Sequence, residues 1–473
     1  EITCKNNKCF NKYYLSCFNI FTVDSIFTES DELKILDINS NLSRINLRLF
    51  KKNTNIFNIY ELISDIFSFI GGCDSLNNIS LIYDKDKNYP DKLYFLSEQQ
   101  SSMYPEMVRT LNKRKLMRSI WRNPLNSDRE IELYLGFVVK SDMADNKDMY
   151  LNYLTFFLGD YSITNKLTGA IFDLGDKTDL YNILKGDVMI PDFVEFKISR
   201  GKNTENFITT QKLLEIENFI SGNQSTCSRF ILKPSLGSQG DGINVIKYYE
   251  QFIEWYKKEK KYEEWTISEF LNPKLFFNKK LNDKLKRKAH IRSYFILVRD
   301  KSDKLNIYEL KSRLLYFAVD KYDDSCVIMN NENKYSFITN LALASEERNI
   351  YYNTDNYTDL LENYEDQIFN FRKLSNKITE YGLRCLEKVG NENLKCFNKH
   401  NKKFIGCYQI LAIDYLPINK NDLKLLEVNK GPGFKGLKSN LNLENIFDEI
   451  FNVTIDKLHG VSQKELFYLN KIN

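Results

Sequence analysis

Apolar residues along this chain follow two spacings. Spacings of three and four predict amphipathic helices over 103–121, 177–184, 209–220 and 362–389. Shorter runs bounded by Gly, Pro, Asn and Asp predict strands at 229–233, 243–247, 266–270, 291–299 and 304–310, and around Ile413 and Leu425. The strands at 291–299 and 304–310 are close enough in sequence to pair with each other. This mixture predicts an α+β fold, and the sequence has no evident internal repeat.

Three oxygen-bearing side chains stand close together near the C-terminus. Asp414 ends an apolar run, and Glu427 and Asn429 lie in a strand-like segment before a Gly-Pro-Gly turn. If the two segments are neighbouring antiparallel strands, Asp414 can face Glu427 and Asn429, because strand side chains alternate. Two carboxylates and an amide oxygen suit magnesium, which prefers oxygen ligands and shares its coordination sphere with water and phosphates. A solvated sheet edge or a metal-free hydrogen-bonded pair is the alternative.

Residues 233–243 are a candidate phosphate-binding segment. Lys233 ends a predicted strand, a glycine-bearing loop follows, and the next predicted strand begins at Ile243. Glycine permits positive φ and close backbone approach, so N–H groups can face phosphate oxygens while Lys233 supplies a positive charge. The Gly-Lys-Ser/Thr ending of a Walker loop is absent, and no helix follows as in a dinucleotide fingerprint. A plain hairpin loop is therefore the alternative.

Basic residues are concentrated in two places. Seven lysines and arginines between residues 279 and 292 outnumber the single Asp283. Strand alternation places Lys288, His290 and Arg292 on one face, from which they could project into a nucleotide cleft. The predicted helix over 103–121 is also basic and could bind a partner. For that helix and for the lysines outside the strand, an ordinary solvated surface is the alternative.

The overall composition argues against several classes of protein. With 67 basic and 63 acidic residues, the net charge of +4 is too small to indicate a nucleic-acid-binding protein. Nine cysteines without a CxxC pair are typical of a reducing compartment such as the cytoplasm, and three distant histidines disfavour a His-rich metal site or a Ser-His-Asp hydrolase. Polar residues interrupt every long apolar run, so we expect no membrane span. The first residue is Glu1, and we expect the natural N-terminus to lie upstream.

Read in order, several segments resemble the tubulin-tyrosine-ligase-like family. The resemblance covers about residues 150–440, and no single motif in it is decisive. Its specific part is the sequence of motifs: Lys233 to Ile243, Phe270-Leu271-Asn272-Pro273, Arg287 to Arg292, Ile338-Thr339-Asn340, then Asp414 and Leu425 to Pro432. Upstream, Lys177 and Ile190-Pro191 also fit the family pattern.

The resemblance implies an ATP-grasp fold, with the nucleotide held between two α+β lobes. It implies an N-terminal region over 1–145 and an ATP-grasp domain over 146–460, divided into lobes at 146–225, 226–300 and 301–460. ATP and Mg²⁺ would be the cofactors. ATP would phosphorylate a carboxylate on the acidic C-terminal tail of tubulin, and the amine of glutamate, tyrosine or glycine would then attack this acyl phosphate. The protein would work in the cytoplasm at the cytoskeleton, with no nucleic-acid or membrane partner.

The resemblance also assigns roles by matched position. Magnesium would be held by Asp414, Glu427 and Asn429. The catalytic residues would be Arg292, Asn340 and Glu427. Nucleotide contacts would come from Lys233, Gly240, Asp241, Gly242, Ser268, Glu269, Phe270, Leu271, Lys288, His290 and Thr339.

Three positions depart from the family pattern. His290 stands where the family usually has Asp, which replaces a fixed anion by a group that is neutral or cationic near pH 7. Tyr316 stands where the family tends to have an arginine at the reaction centre, and Arg313 nearby would face the other way in a strand. Gly433 replaces a common serine. A ligase acting on a protein other than tubulin, and an inactive microtubule-binding relative, are therefore the alternatives.

Overall fold

The computed structural model describes part of the chain. Most of the described residues lie between 175 and 472. The described ranges are 22–27, 33–39, 94–97, 106, 110, 117–119, 131–136, 162–165, 167–168, 175–200, 205–225, 227–235, 240–300, 302–322, 327–330, 332–340, 355–390, 394–396, 406–418, 422–429, 432–458, 460–461 and 465–472.

Strands and helices are both frequent in these residues, as an α+β protein requires. The strands are β1 Thr22–Phe27, β2 Leu33–Asn39, β3 Tyr94–Ser97, β4 Met117–Ser119, β5 Ile131–Gly136, β6 Ser162–Asn165, β7 Leu167–Thr168, β8 Phe193–Lys197, β9 Ser199–Arg200, β10 Asn206–Phe207, β11 Phe230–Pro234, β12 Asn244–Ile246, β13 Glu264–Glu269, β14 Leu275–Phe277, β15 Lys286–Asp300, β16 Leu305–Leu310, β17 Leu314–Phe317, β18 Thr358–Leu360, β19 Lys395–Cys396, β20 Gly406–Pro417, β21 Leu423–Asn429 and β22 Leu469–Lys471. The α-helices are α1 Lys177–Ile183, α2 Thr210–Gly222, α3 Tyr249–Lys258, α4 Lys334–Phe337, α5 Phe371–Val389, α6 Lys435–Lys438 and α7 Leu443–Phe451. A 3-10 helix spans Leu361–Gln367, and a π-helical turn spans Asn452–Asp456.

Two sheets dominate the part of the chain that follows Tyr83. A four-stranded antiparallel sheet has the order β12-β11-β13-β8. A larger sheet has the order β18-β17-β15-β20-β6-β5-β3-β4, with β21 added beside β20 and with β14 and β16 paired to β15. The long strand β15 pairs antiparallel with β20 from Ile291↔Tyr415 to Asp300↔Gly406. Strand β15 is therefore the element around which the larger sheet is organised.

Apolar faces on both sheets build the core. Helix α5 and helix α1 pack on one face of the larger sheet, against residues such as Phe295 and Leu411. Helix α7 covers the other face, where Ile296 and Ile410 are fully buried. Helices α2 and α3 cover the four-stranded sheet. Because its two faces are covered, the residues of β15 read as an almost continuous buried run and not as a simple alternation.

Most of the predicted elements are present, with two corrections. The helix predicted over 103–121 is wrong at Met117–Ser119, which forms β4 and pairs parallel with β3. Hydrogen bonding to a distant strand overrides the local apolar spacing there. The long helix predicted over 362–389 is divided, because Leu361–Gln367 is a 3-10 helix and α5 begins at Phe371 behind the side-chain cap of Asn370. No described helix combines the length and the apolar character needed to cross a membrane.

Contacts divide the chain between Tyr83 and Asp84. The first unit contains the hairpin β1–β2, and the second contains both large sheets. Strands β3, β4 and β5 lie within the predicted N-terminal region of residues 1–145 but belong to the larger sheet. The domain boundary between residues 145 and 146 therefore stays a prediction.

Close packing of α5 on β15 predicts the outcome of one substitution. Gly382 is buried on α5, and a Cβ there would overlap the ring of Phe295. Alanine favours a helix over glycine by about 1 kcal/mol, but overpacking a core costs about 1–3 kcal/mol. We expect Gly382→Ala to lower the free energy of unfolding, measured by urea denaturation. Gly222→Ala in α2, where a Cβ meets nothing within 4 Å, should be neutral or slightly stabilising, and equal effects at both sites would contradict this packing argument.

Candidate functional site

Strand β15 presents a row of polar side chains to a cleft between the two large sheets. Lys288, His290 and Arg292 alternate along the strand and all line this cleft, as the sequence predicts. Opposite them, β11 and β13 of the four-stranded sheet contribute Lys233 and Ser268. The lining extends to Lys177 of α1 and to Asp414 and Glu427 on β20 and β21. The cleft therefore collects side chains from parts of the chain that are up to 250 residues apart.

The three oxygen-bearing side chains near the C-terminus do converge. Strands β20 and β21 are antiparallel neighbours with Asp414 opposite Glu427 in register. The Nδ2 of Asn429 lies 3.1 Å from Asp414 Oδ2 and 3.4 Å from Glu427 Oε1. The predicted pairing of these strands, and the predicted clustering of the three side chains, are confirmed by this geometry.

Arg292 forms a paired, two-point contact with Asp414. Its Nε and Nη2 donate to Asp414 Oδ1 and Oδ2, each over 2.7 Å, and both side chains are largely buried. Burial opposes the charge on Arg292, but the adjacent Asp414 carboxylate raises the pKa of the guanidinium above its ordinary value. A planar guanidinium matches a carboxylate at two points, so the pair fixes both side chains in the cleft.

Cationic groups line the cleft beside this pair. The Nζ of Lys288 donates to the Phe337 carbonyl over 2.8 Å, and the Nζ of Lys233 donates to Tyr181 Oη over 3.2 Å. Lys177 Nζ lies 3.7 Å from Glu427 Oε2. Burial, together with the positive charges of Lys233 and Arg229, lowers the pKa of Lys288 to about 7. The cleft is therefore arranged to receive negative charge.

His290 and Tyr316 contact each other in the cleft. The rings of His290 and Tyr316 stack with centroids 4.9 Å apart and nearly parallel planes, and the Tyr316 ring also lies under the Arg292 guanidinium at 5.0 Å. His290 Nδ1 is 2.6 Å from Thr339 Oγ1, while its Nε2 is 3.7 Å from Asp414 Oδ2. Burial and the nearby Arg292 lower the pKa of His290 to about 3, so the imidazole is neutral. Arg313 faces away, as predicted, and bonds to Glu309 and Thr379.

An aromatic wall closes one side of the cleft. Ser268, Glu269, Phe270 and Leu271 all line it. The centre of the Phe270 ring lies 4.6 Å from the Arg229 guanidinium and 5.1 Å from the Lys288 ammonium. Thr339 and Asn340 also line the cleft. The cleft volume is about 130 Å³.

The glycine-bearing loop reaches the cleft only in part. Gly240 lines the cleft, whereas Asp241 and Gly242 are not brought to it. The Asp241 carboxylate accepts hydrogen bonds from Lys261 and Tyr262 instead, and these bonds lower its pKa. Gly240 and Gly242 have φ values of +82° and +75°, and a Cβ at Gly242 would press on Tyr262. Both glycines therefore meet a backbone requirement that few other residues could meet. Residues 236–239 lie outside the described residues.

The lysines that precede β15 are engaged within the protein. Lys279 pairs with the exposed Asp366, and Lys280 donates to the Thr358 carbonyl over 2.6 Å. Lys280 also lies 3.7 Å from Asp359. This part of the basic run therefore ties loops together instead of forming an open cationic surface.

Sequence reasoning missed two cationic residues at the site. Lys424 lines the cleft and donates to the carbonyls of Val188 and Ile190. A register shift at Leu426 turns the Lys424 side chain to the same side of β21 as Glu427. Arg229 is buried behind Phe270 and bonds to Asn272 and Tyr322. The only sequence signal that could have pointed to Arg229 was its place directly before a buried strand, with an Asn-Pro pair later in the chain.

Asp414, Glu427 and Asn429 fit a hard divalent cation that arrives with further ligands. Within the described part of the chain, no three His, Cys, Asp or Glu side chains form a group able to hold a metal. Magnesium, however, is usually bound through one or two carboxylates together with water and substrate phosphates. Glu427 is about a third exposed towards the cleft, and the Asn429 amide beside it can offer oxygen after rotation. The donor set thus suits magnesium bound to a phosphate ester.

Comparison with known proteins agrees with this geometry. Residues 181–465, more than half of the chain, match the tubulin-tyrosine ligase family. A probable tubulin–tyrosine ligase of Schizosaccharomyces pombe is 24% identical over 263 residues, which are 51% of this chain and 60% of that protein. The chain thus spans less than two thirds of the length of this curated relative. The matched region contains every residue of the cleft described above except Lys177, and the chain belongs to the tubulin-tyrosine ligase family.

Proposed function

We propose that the protein is an ATP-dependent ligase that joins a free amino acid to the acidic C-terminal tail of tubulin. The observation that carries this proposal is the meeting, in one cleft, of a cationic row on β15 with the Asp414, Glu427 and Asn429 cluster. The phosphate groups of a nucleotide need cationic partners such as this row, and a phosphate-bound cation needs oxygen ligands such as this cluster. Together with the family match, this arrangement supports ATP binding in an ATP-grasp manner, between the four-stranded sheet and the larger sheet.

The residues would share the chemistry as follows. Lys233 and Lys288 would bind phosphate oxygens, and Phe270 and Leu271 would pack on the base. A magnesium ion, when bound by Asp414, Glu427 and Asn429, would neutralise charge on the phosphates. Arg292 would stabilise the charge that develops as the γ-phosphoryl group moves to the acceptor carboxylate.

The reaction balances without a covalent enzyme intermediate. Transfer of the γ-phosphoryl group from ATP to the acceptor carboxylate gives ADP and an acyl phosphate. The amine of the incoming amino acid then attacks the acyl carbon, the bond to phosphate breaks, and an amide, phosphate and a proton are released.

The cleft volume of about 130 Å³ is below the 300–1,000 Å³ typical of ligand sites, so its walls must separate to admit ATP.

Incubation with tubulin tests the acceptor. We expect a labelled amino acid to enter intact tubulin in the presence of ATP and Mg²⁺, and not to enter tubulin whose acidic tails have been cleaved. Comparison of tyrosine, glutamate and glycine identifies the amino acid. Equal labelling of tail-cleaved tubulin would overturn the tubulin proposal and favour a different protein acceptor. Nucleotide binding without any labelling would favour an inactive microtubule-binding relative.

Because the pKa of Lys288 is lowered, we expect nucleotide binding to be coupled to proton uptake by this side chain. Its pKa of about 7 means that the free protein holds it mostly neutral at pH 8, whereas bound phosphates would restore its charge. We expect nucleotide binding to take up close to one proton at pH 8 and close to none at pH 6, with affinity falling as pH rises above 7. Calorimetry in buffers of different ionisation enthalpy measures this uptake. Lys288→Met should remove it, and an unchanged uptake in that variant would assign the proton elsewhere.

A further inference from the structure

A second, larger groove follows the exposed side of helix α5. It has a volume of about 550 Å³ and is separate from the nucleotide cleft in its lining. Its charged lining consists of four cations and one carboxylate: Arg372, Lys373, Lys377, Arg384 and Glu380. The cationic excess is therefore concentrated in a concave surface, where field lines are focused and an anionic chain is attracted.

Two of these cations are held by neighbouring carboxylates. Lys377 pairs with Asp422, and the Nε of Arg384 lies 2.9 Å from Oδ2 of the buried Asp187. Arg384 remains 42% exposed, so other N–H groups of its guanidinium still face the groove. Arg372 and Lys373 are exposed, and neither has a carboxylate partner among the described residues. These two side chains at the start of α5 supply the uncompensated charge.

The groove and the nucleotide cleft meet at one short segment. Val188 lines the groove and is 61% exposed, whereas Pro191, three residues later, lines the cleft. Lys424 lines the cleft and donates to the carbonyls of Val188 and Ile190, and the Leu425 amide donates to the Met189 carbonyl. This segment is thus fixed to β21, the strand that carries Glu427. A chain lying in the groove would reach the reaction centre by crossing residues 188–191.

We propose that the α5 groove binds the acceptor chain as an extended peptide rich in Glu or Asp. This proposal rests on the proposed ligase function, because it assigns the route by which the acceptor carboxylate reaches the cleft. Arg372 and Lys373 attract the acidic side chains, Arg384 offers a planar donor set to one carboxylate, and Val188 contacts the aliphatic part of the chain. The basic run at 279–280 is a poorer candidate, since its lysines are already bonded within the protein.

Binding of a fluorescent hexaglutamate peptide, followed by anisotropy, tests the groove directly. We expect wild-type protein to bind this probe with an affinity that falls as salt is added, and not to bind a hexalysine peptide. The double reversal Arg372→Glu/Lys373→Glu should weaken hexaglutamate binding by about tenfold or more, because each reversal replaces an attraction by a repulsion. Lys257→Glu/Lys258→Glu on α3, an equal change on exposed lysines outside the groove, should alter the affinity by less than about twofold.

The outcomes separate this proposal from the ligase proposal. Equal hexaglutamate affinity in the two double variants, or no wild-type binding of this peptide, overturns the groove assignment. Retained affinity for a non-hydrolysable ATP analogue in Arg372→Glu/Lys373→Glu shows that the variant is folded. Groove-dependent peptide binding without any amide formation would leave the groove assignment in place and remove the ligase function. In active protein, the reversal should raise KM for a long acidic acceptor and leave kcat nearly unchanged, whereas purely structural damage would lower kcat.

Discussion

Glu427→Gln is expected to lower the rate of amino-acid-dependent ADP release by at least about a hundredfold, the scale on which one charge-stabilising group acts at a transition state. The side chain keeps its shape and loses its charge, so the Asp414 cluster has one anion fewer with which to hold a phosphate-bound cation. Steady-state release of ADP, with amino acid and acidic acceptor both present, measures the effect. The variant should unfold at the same urea concentration as wild type, because Glu427 is about a third exposed.

Two further variants show whether the loss of turnover is specific to Glu427. Glu263→Gln makes the same change at an exposed glutamate that pairs with Lys197, and its turnover should equal that of wild type. Lys233→Ala should mainly raise KM for ATP, because it removes a point charge from the phosphate side of the cleft. Turnover of Glu427→Gln within a few-fold of wild type would remove Glu427 from the reaction centre.

Asp414→Asn is expected to destabilise the fold as well as to stop turnover. The substitution leaves the Arg292 guanidinium largely buried and without the counter-charge that it contacts at two points. Breaking such a pair from one side costs about 3–5 kcal/mol. Urea denaturation should therefore show a large fall in the unfolding midpoint. Asp366→Asn, which breaks the exposed pair with Lys279, should leave the unfolding midpoint close to that of wild type.

A double variant shows whether the loss comes from the unpaired charge. Replacing both partners, as Arg292→Met/Asp414→Leu, removes the buried cation together with its carboxylate. We expect this double variant to recover most of the stability lost in Asp414→Asn while remaining inactive. If the double variant were as unstable as the sum of its single variants, packing and not charge would explain the effect.

The sequence predicted the centre of the site better than its edges. Strand alternation correctly placed Lys288, His290 and Arg292 on one face, and correctly joined Asp414 to Glu427, because these rules depend only on neighbouring strands. Lys424 escaped prediction because a bulge at Leu426 breaks that alternation, and a bulge depends on the pairing partner.

Other features required three-dimensional information. The strand at Met117–Ser119 depends on pairing with β3, and its local sequence reads as a helix. Asp241 resembled a phosphate-loop residue, but Lys261 and Tyr262, some twenty residues later, hold its carboxylate. The stacking of His290 on Tyr316 joins two departures from the family pattern that appear independent in sequence. The two rings therefore form one surface beside Asp414.

Transfer of oxygen isotope tests the ligase proposal most directly. An acidic acceptor peptide whose carboxylates carry ¹⁸O is incubated with the protein, ATP, Mg²⁺ and amino acid, and the released phosphate is analysed by mass spectrometry. Because the acyl phosphate breaks between carbon and oxygen, we predict one ¹⁸O atom in phosphate for each amide bond formed. Phosphate without ¹⁸O, or no phosphate release that depends on acceptor and amino acid, would contradict the proposed function.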